Sequence, residues 1–112
     1  MSQLTTHVLD TSCGKPAQNI NVELEFESSD QWIKIAIGKT NGDGRVADLL
    51  SKDLIMQHGV YRLTFYTKTY FDQQNIKSFY PKVTIEFLVA DETHYHVPLL
   101  LNPYGYSTYR GS

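Results

Sequence analysis

The chain has 112 residues and a formal net charge of −2, which limits it to one domain with a modest core. Aliphatic and aromatic residues make up 41% of it and charged residues 20%, a balance that excludes intrinsic disorder. Ten Lys and Arg against twelve Asp and Glu leave no basic excess to neutralise phosphates, so nucleic acid is not an expected partner.

The amino-terminal stretch Met1-Ser2-Gln3-Leu4-Thr5-Thr6-His7 has neither a basic residue nor an apolar run of signal-peptide length, and the expected address is the cytoplasm. Period-2 alternation predicts strands over residues 4–9, 20–26 and 32–37. Turn signals separate them: Cys13-Gly14-Lys15-Pro16, Ser28-Ser29-Asp30 and Asn41-Gly42-Asp43-Gly44. Residues 46–57 carry apolar side chains at 46, 49, 50 and 54, a spacing compatible with a helix or with a short strand followed by a loop. Alternation resumes at 60–66, a polar segment at 70–78 has room for one or two helical turns, and strands follow at 83–89 and 94–101. Asn102-Pro103-Tyr104-Gly105 lets the chain reverse into a last short strand at 106–109. The apolar run at 97–101 is too short to span a bilayer, so no membrane partner is expected. About seven or eight short strands with frequent turns read as an all-β sandwich.

Cys13 is the only cysteine, which rules out an intrachain disulfide, and beside Gly14 it reads as a turn residue rather than a nucleophile. Of the four histidines, His58 precedes Gly59 and suits a helix end or loop. His94 and His96 are two apart on a predicted strand and share a face, a spacing that chelates a metal as readily as it arises by chance. With His7 as third ligand they would form an open three-histidine zinc site. Arg45, after the Gly42-Asp43-Gly44 turn, is either a solvated hairpin arginine or a planar fork held out to a carbonyl or anionic heterocycle.

The carboxy-terminal stretch, Tyr104-Gly105-Tyr106-Ser107-Thr108-Tyr109-Arg110-Gly111-Ser112, is unlike a small, polar, frayed tail. Strand parity sets Tyr109 with Ser107 on one face and Arg110 with Thr108 on the other. The tyrosines and Arg110 read either as functional groups or as sheet-edge packing with a surface ion pair.

Particular residues carry a resemblance. Thr6-His7-Val8-Leu9-Asp10 with Gly14-Lys15-Pro16-Ala17, the Asp43-Gly44-Arg45 turn, and His94-Tyr95-His96-Val97-Pro98-Leu99-Leu100 are three of its parts. The fourth is Pro103-Tyr104-Gly105-Tyr106-Ser107-Thr108-Tyr109-Arg110-Gly111-Ser112. Over essentially its whole length the chain resembles the 5-hydroxyisourate hydrolase family, transthyretin-related enzymes of urate degradation. The closing Tyr109-Arg110-Gly111-Ser112 separates that family from the hormone carrier transthyretin. The resemblance implies a single transthyretin-like domain over 1–112, a two-sheet β-sandwich with one short helix near 70–78. It also implies a homotetramer built as a dimer of dimers, with active sites where the dimers meet, and no metal or cofactor. The site residues it implies are His7, Arg45 and His96 as catalytic groups, with His7, Arg45, Tyr109 and Ser112 holding the substrate, 5-hydroxyisourate. Asn102 stands where family members often carry Ser, a turn-compatible change.

Overall fold

The computed structural model describes residues 2–112. Alternation along β1 (Leu4–Asp10) buries Leu4, Thr6, Val8 and Asp10 and leaves Thr5, His7 and Leu9 half-exposed. Gly14, with φ +70°, turns the chain into the two-residue strand β2 (Lys15–Pro16), which pairs antiparallel with the end of β1. β3 (Asn21–Ser28) and β4 (Gln31–Lys39) form a hairpin whose two loop residues, Ser29 and Asp30, both take positive φ, as the right-handed twist of a tight hairpin demands. β5 (Gly59–Phe65), helix α1 (Thr67–Asp72), β6 (Val83–Val89), β7 (Tyr95–Asn102) and β8 (Gly105–Thr108) complete the chain.

Two four-stranded sheets result, ordered β2-β1-β7-β8 and β4-β3-β5-β6. One apolar cluster fills the space between them, with Leu4, Val8 and Leu99 from the first sheet against Leu24, Leu63 and Phe65 from the second. Each such side chain, at 1% exposure or less, contributes roughly 1.5–3 kcal/mol by leaving water. β1 and β7 run parallel, with Thr5 opposite His96 and His7 opposite Pro98. Residues from the two ends of the chain thereby share the outer face of one sheet.

The helix begins three residues earlier than the predicted segment and ends at Asp72 rather than near Ser78. Thr67 and Phe71, four residues apart, bury one face of it, and Asn75, at φ 58°, turns the backbone out of helical conformation. Residues 46–57 form neither a helix nor a strand. Leu49, Leu50 and Met56 anchor a series of turns to the core, and the Met56 N–H donates to Gln3 Oε1 at 2.8 Å. The last strand covers 105–108, so Tyr109 lies beyond the ladder and the parity expected for it with Ser107 does not apply. At the end of β1 the buried Asp10 carboxylate accepts hydrogen bonds from the Ser12 N–H and hydroxyl and from the Tyr70 hydroxyl at 2.7 Å, tying the sheet to α1. Burial first, then that bond, pushes the Tyr70 hydroxyl up to about 12. Among the described residues no helix is long and apolar enough to cross a membrane.

Candidate active site

Three segments converge on the outer face of the β2-β1-β7-β8 sheet. The first is β1, which presents Thr5 and His7 on one face because they are two residues apart.

The second is the turn before Arg45. Asn41 organises it: its Oδ1 accepts from the N–H of Asp43 at 2.9 Å and of Arg45 at 3.2 Å, and its own N–H donates to the Arg45 carbonyl at 2.7 Å. Gly44 then passes its carbonyl to the Val8 N–H at 2.8 Å, and Arg45 bridges His7 in an isolated antiparallel pair. Gly44 is required twice over. Its φ is +75°, and a Cβ there would collide with the Val8 carbonyl oxygen and press on His7 Cδ2 at 3.2 Å. The arginine of the Gly-Asp-Gly-Arg segment is therefore fixed at the side of His7 and not left on a free hairpin.

The third segment is β7 with the tail that folds back on it. The Gly111 N–H donates to the His96 carbonyl at 2.9 Å, and a Cβ on Gly111 would lie 2.5 Å from His96 Cδ2. Arg110 pins the tail: its guanidinium carbon sits 4.2 Å above the Tyr95 ring, and Nη2 donates to Thr93 Oγ1 and to the His94 carbonyl, each at 3.2 Å. Ser112 is thereby held beside Thr5, Arg45, His94 and His96, and these five line an open recess of about 380 Å³.

Within the recess the Thr5 hydroxyl lies 2.8 Å from His94 Nε2 and 2.8 Å from His96 Nδ1. The two imidazoles are nearly parallel, at 21°, with centroids 6.2 Å apart. Burial, then the positive charge of Arg45, then His94 lower the affinity of His96 for a proton, against an opposing interaction with the Thr5 backbone. At neutral pH the His96 ring is a neutral imidazole, able to take a proton or to hold a water. The three-histidine zinc arrangement is not formed. The facing nitrogens of His94 and His96 converge on a hydroxyl, and among the described residues no three His, Cys, Asp or Glu side chains gather as a metal-holding group.

Three of the five expected site residues, Arg45, His96 and Ser112, line this recess, and His7 stands beside it, bridged to Arg45. Tyr109 does not: within one chain its ring lines a separate cleft with Ile85, Phe87, Leu88 and Val97, between the β6 and β8 sides of the sandwich. Thr5 and Gly111 complete the local structure with no functional signal in the sequence, while His94, a candidate metal ligand, and Arg110, left open between a functional and a packing role, take structural parts here. The available signal was the Thr5/His7 and His94/His96 alternation, but the register that brings the two pairs together is a tertiary property. His58 pairs with Glu92 at 3.0 Å on the exposed surface, and the exposed Cys13 belongs to the turn after β1. A larger groove of about 610 Å³ beside β3, β4 and α1 is lined by no histidine or arginine.

The fold and this recess define a transthyretin-type β-sandwich that carries a histidine and arginine cluster on one sheet face. The chain belongs to the HIUase/Transthyretin family, whose model matches residues 4–111. A 5-hydroxyisourate hydrolase of Mus musculus is 45% identical over 99% of this chain and 96% of its own length. The solved structure of the Klebsiella pneumoniae 5-hydroxyisourate hydrolase matches with a TM-score of 0.85 and 38% identity, covering 97% of this chain and 98% of that one. Sea bream transthyretin in complex with thyroxine matches with a TM-score of 0.90 and 30% identity, covering 97% and 94%.

Proposed function

We propose that this protein hydrolyses 5-hydroxyisourate to 2-oxo-4-hydroxy-4-carboxy-5-ureidoimidazoline, a step of urate degradation, without a metal or cofactor. The observation that carries the reading is the meeting of Arg45, His96 and Ser112 at one recess, with His7 bridged to Arg45 beside it, in a chain whose relatives at 38–45% identity bear the name of that hydrolase. The reaction opens a six-membered cyclic amide: water adds to the acyl carbon, the carbon–nitrogen bond breaks, and a proton passes to the leaving nitrogen. His96, neutral and partly desolvated, takes the proton from water as general base, help typically worth about 10²–10⁴-fold. His7, on the neighbouring strand, orients water or substrate from the other side. Arg45 keeps its charge at every working pH and offers a planar fork to the ring oxygens, stabilising the oxyanion as it forms. Ser112 closes the recess against the substrate.

Tyr109 has a different part in this reading from the one its parity suggested: largely exposed, it lines the cleft beside Phe87 and Leu88 and not the recess of its own subunit. A homotetramer, a dimer of dimers, fits the open recess, because the half-exposed Leu9 and Leu100 offer apolar surface on the histidines' sheet face that a second copy would cover while roofing the site. The chain then works as one domain, 1–112, in the cytoplasm.

The likeness to a thyroxine-bound transthyretin favours one other reading, a carrier that holds an aromatic ligand and turns nothing over. The same experiment separates the two. Freshly generated 5-hydroxyisourate is followed by ultraviolet absorbance with and without protein, in chelator. Accelerated decay supports the hydrolase, and decay at the spontaneous rate rejects it. Light scattering during size-exclusion chromatography checks the tetramer.

A further inference from the structure

The Thr5 hydroxyl has one proton to give and two lone pairs with which to accept, yet it faces two imidazole nitrogens, His94 Nε2 and His96 Nδ1, both at 2.8 Å. With both rings neutral, only two arrangements satisfy both bonds. In the first, Thr5 donates to His96 Nδ1 and accepts from His94 Nε2–H, so the His96 proton sits on Nε2. In the second, Thr5 donates to His94 Nε2 and accepts from His96 Nδ1–H, which leaves His96 Nε2 bare.

We infer that His94, acting through Thr5, holds His96 in the Nδ1–H form and so keeps Nε2 free as the base: His94 and Thr5 are positioning residues for His96. This rests on the hydrolase reading above. The second arrangement is the one that survives turnover. When His96 Nε2 takes a proton, Nδ1–H still donates to Thr5, Thr5 still donates to His94, and no hydrogen bond has to reverse. In the first arrangement Nε2 already carries its proton and can only donate.

The surroundings fit. Burial first, then Arg45 from the preceding turn and His94, with a smaller part from His7 on β1, favour the neutral His96 ring, the state in which the tautomer matters. His94, half-exposed, also lines a second cleft with Lys52 and Glu92. The parallel register that sets Thr5 opposite His96 belongs to two strands paired along seven residues, so the bridge rests on a continuous ladder.

The test is nitrogen-15 NMR of histidine-labelled protein at neutral pH, where the shifts of Nδ1 and Nε2 report directly which one is protonated, on wild type, Thr5→Val, Thr5→Ser and His94→Phe. Wild type and Thr5→Ser are expected to show His96 protonated at Nδ1. Thr5→Val and His94→Phe are expected to shift the proton to Nε2, the ordinary preference of a free imidazole. They should lower kcat by about tenfold with KM little changed, a fraction of the full worth of a general base. The half-exposed His94 position keeps the test valid should Thr5→Val fold poorly. A wild-type His96 protonated at Nε2, or a tautomer unmoved in both variants, overturns the relay while leaving an active hydrolase intact. Wild-type protein that fails to speed 5-hydroxyisourate decay overturns the hydrolase reading itself, and with it the catalytic meaning of the relay.

Discussion

Gly111→Ala puts one methyl group where the tail crosses His96. The added Cβ would stand 2.5 Å from His96 Cδ2, 3.3 Å from Cγ and 3.4 Å from Pro98 Cγ. Ordinary carbon contacts lie at about 3.5–4.0 Å, so the overlap with the ring is about 1 Å. Gly111 does not take positive φ, and the backbone itself accepts alanine; the whole effect is this collision. Either the tail lifts away, giving up the hydrogen bond from Gly111 to the His96 carbonyl at roughly 0.5–1.5 kcal/mol, or the ring is displaced. Turning the ring about 30° off its rotamer costs a similar 0.5–1.5 kcal/mol. Because the tail is exposed and follows the last strand, stability should fall by only about 1–2 kcal/mol, a melting shift of several degrees. Catalysis is the more sensitive readout, since a misplacement of about 1 Å at a reacting group costs on the order of 10²-fold. The two measurements are 5-hydroxyisourate decay for kcat/KM and thermal unfolding for the fold. A kcat/KM within about twofold of wild type would refute the claim that the tail sets the position of His96.

His96→Gln, His7→Gln and Arg45→Met should each lower kcat/KM by at least about tenfold in the decay assay with the unfolding transition nearly unchanged, because all three stand on the outer sheet face rather than in the core. A proton NMR titration should find the His96 midpoint below 6.5 in wild type and moved upward in Arg45→Met, which removes one of the charges that lower it; burial remains. With the folded midpoint depressed, the unfolded chain binds more protons between that midpoint and 6.5, so His96 withdraws stability as pH falls through this window. Gly44→Ala should cost both stability, at least about 1 kcal/mol from positive φ alone, and activity, by moving Arg45 off His7; denaturant unfolding and the decay assay check the two. Tyr70 ionises at about 12 instead of 10.0, so the folded state favours the neutral phenol and loses stability as pH rises between those values. Tyr70→Phe should reduce the alkaline slope in urea unfolding, with Tyr61 and Tyr66, also raised by burial, keeping the remainder, while costing about 1 kcal/mol at neutral pH, since Ser12 still serves Asp10.

The strands were legible because one sheet face is buried and the other is not: the alternation at 4–9, 20–26 and 83–89 is the core seen along the chain. The short helix was misplaced because its first turn, Tyr66 to Thr69, reads as the continuation of a strand, and what makes it helical is the burial of Thr67 and Phe71 against the sandwich. The turns over 46–57 were not legible because their anchors, Leu49, Leu50 and Met56, obey no period; they follow the contour of the core. At the site, His7 and His96 were visible as histidines on strand faces, and Arg45 as the residue after a glycine turn, but their roles came only with the family resemblance. Tyr109 shows where parity fails. The strand ends at Thr108, one residue before it, so alternation no longer fixes its face.

Placing these groups on a sheet face makes them depend on register more than on any one contact. β1 and β7 pair in parallel with Thr5 against His96; β1 alternates between core and outer face along its whole length, and β7 does so except at Pro98, which is buried as well. A slip of one residue between them would set Thr5 beside Tyr95 or Val97, whose side chains are buried, and the bridge to His94 and His96 would vanish. The core forbids that slip, because Leu4, Val8 and Leu99 cannot turn outward without exposing the most deeply buried positions of the first sheet. The hydrophobic free energy of the sandwich is therefore what fixes the Thr5 hydroxyl between two imidazoles. A 112-residue chain with no room for an internal cleft gains a preorganised polar site by using its strand faces, and a two-residue tail held by Arg110 forms one wall of it.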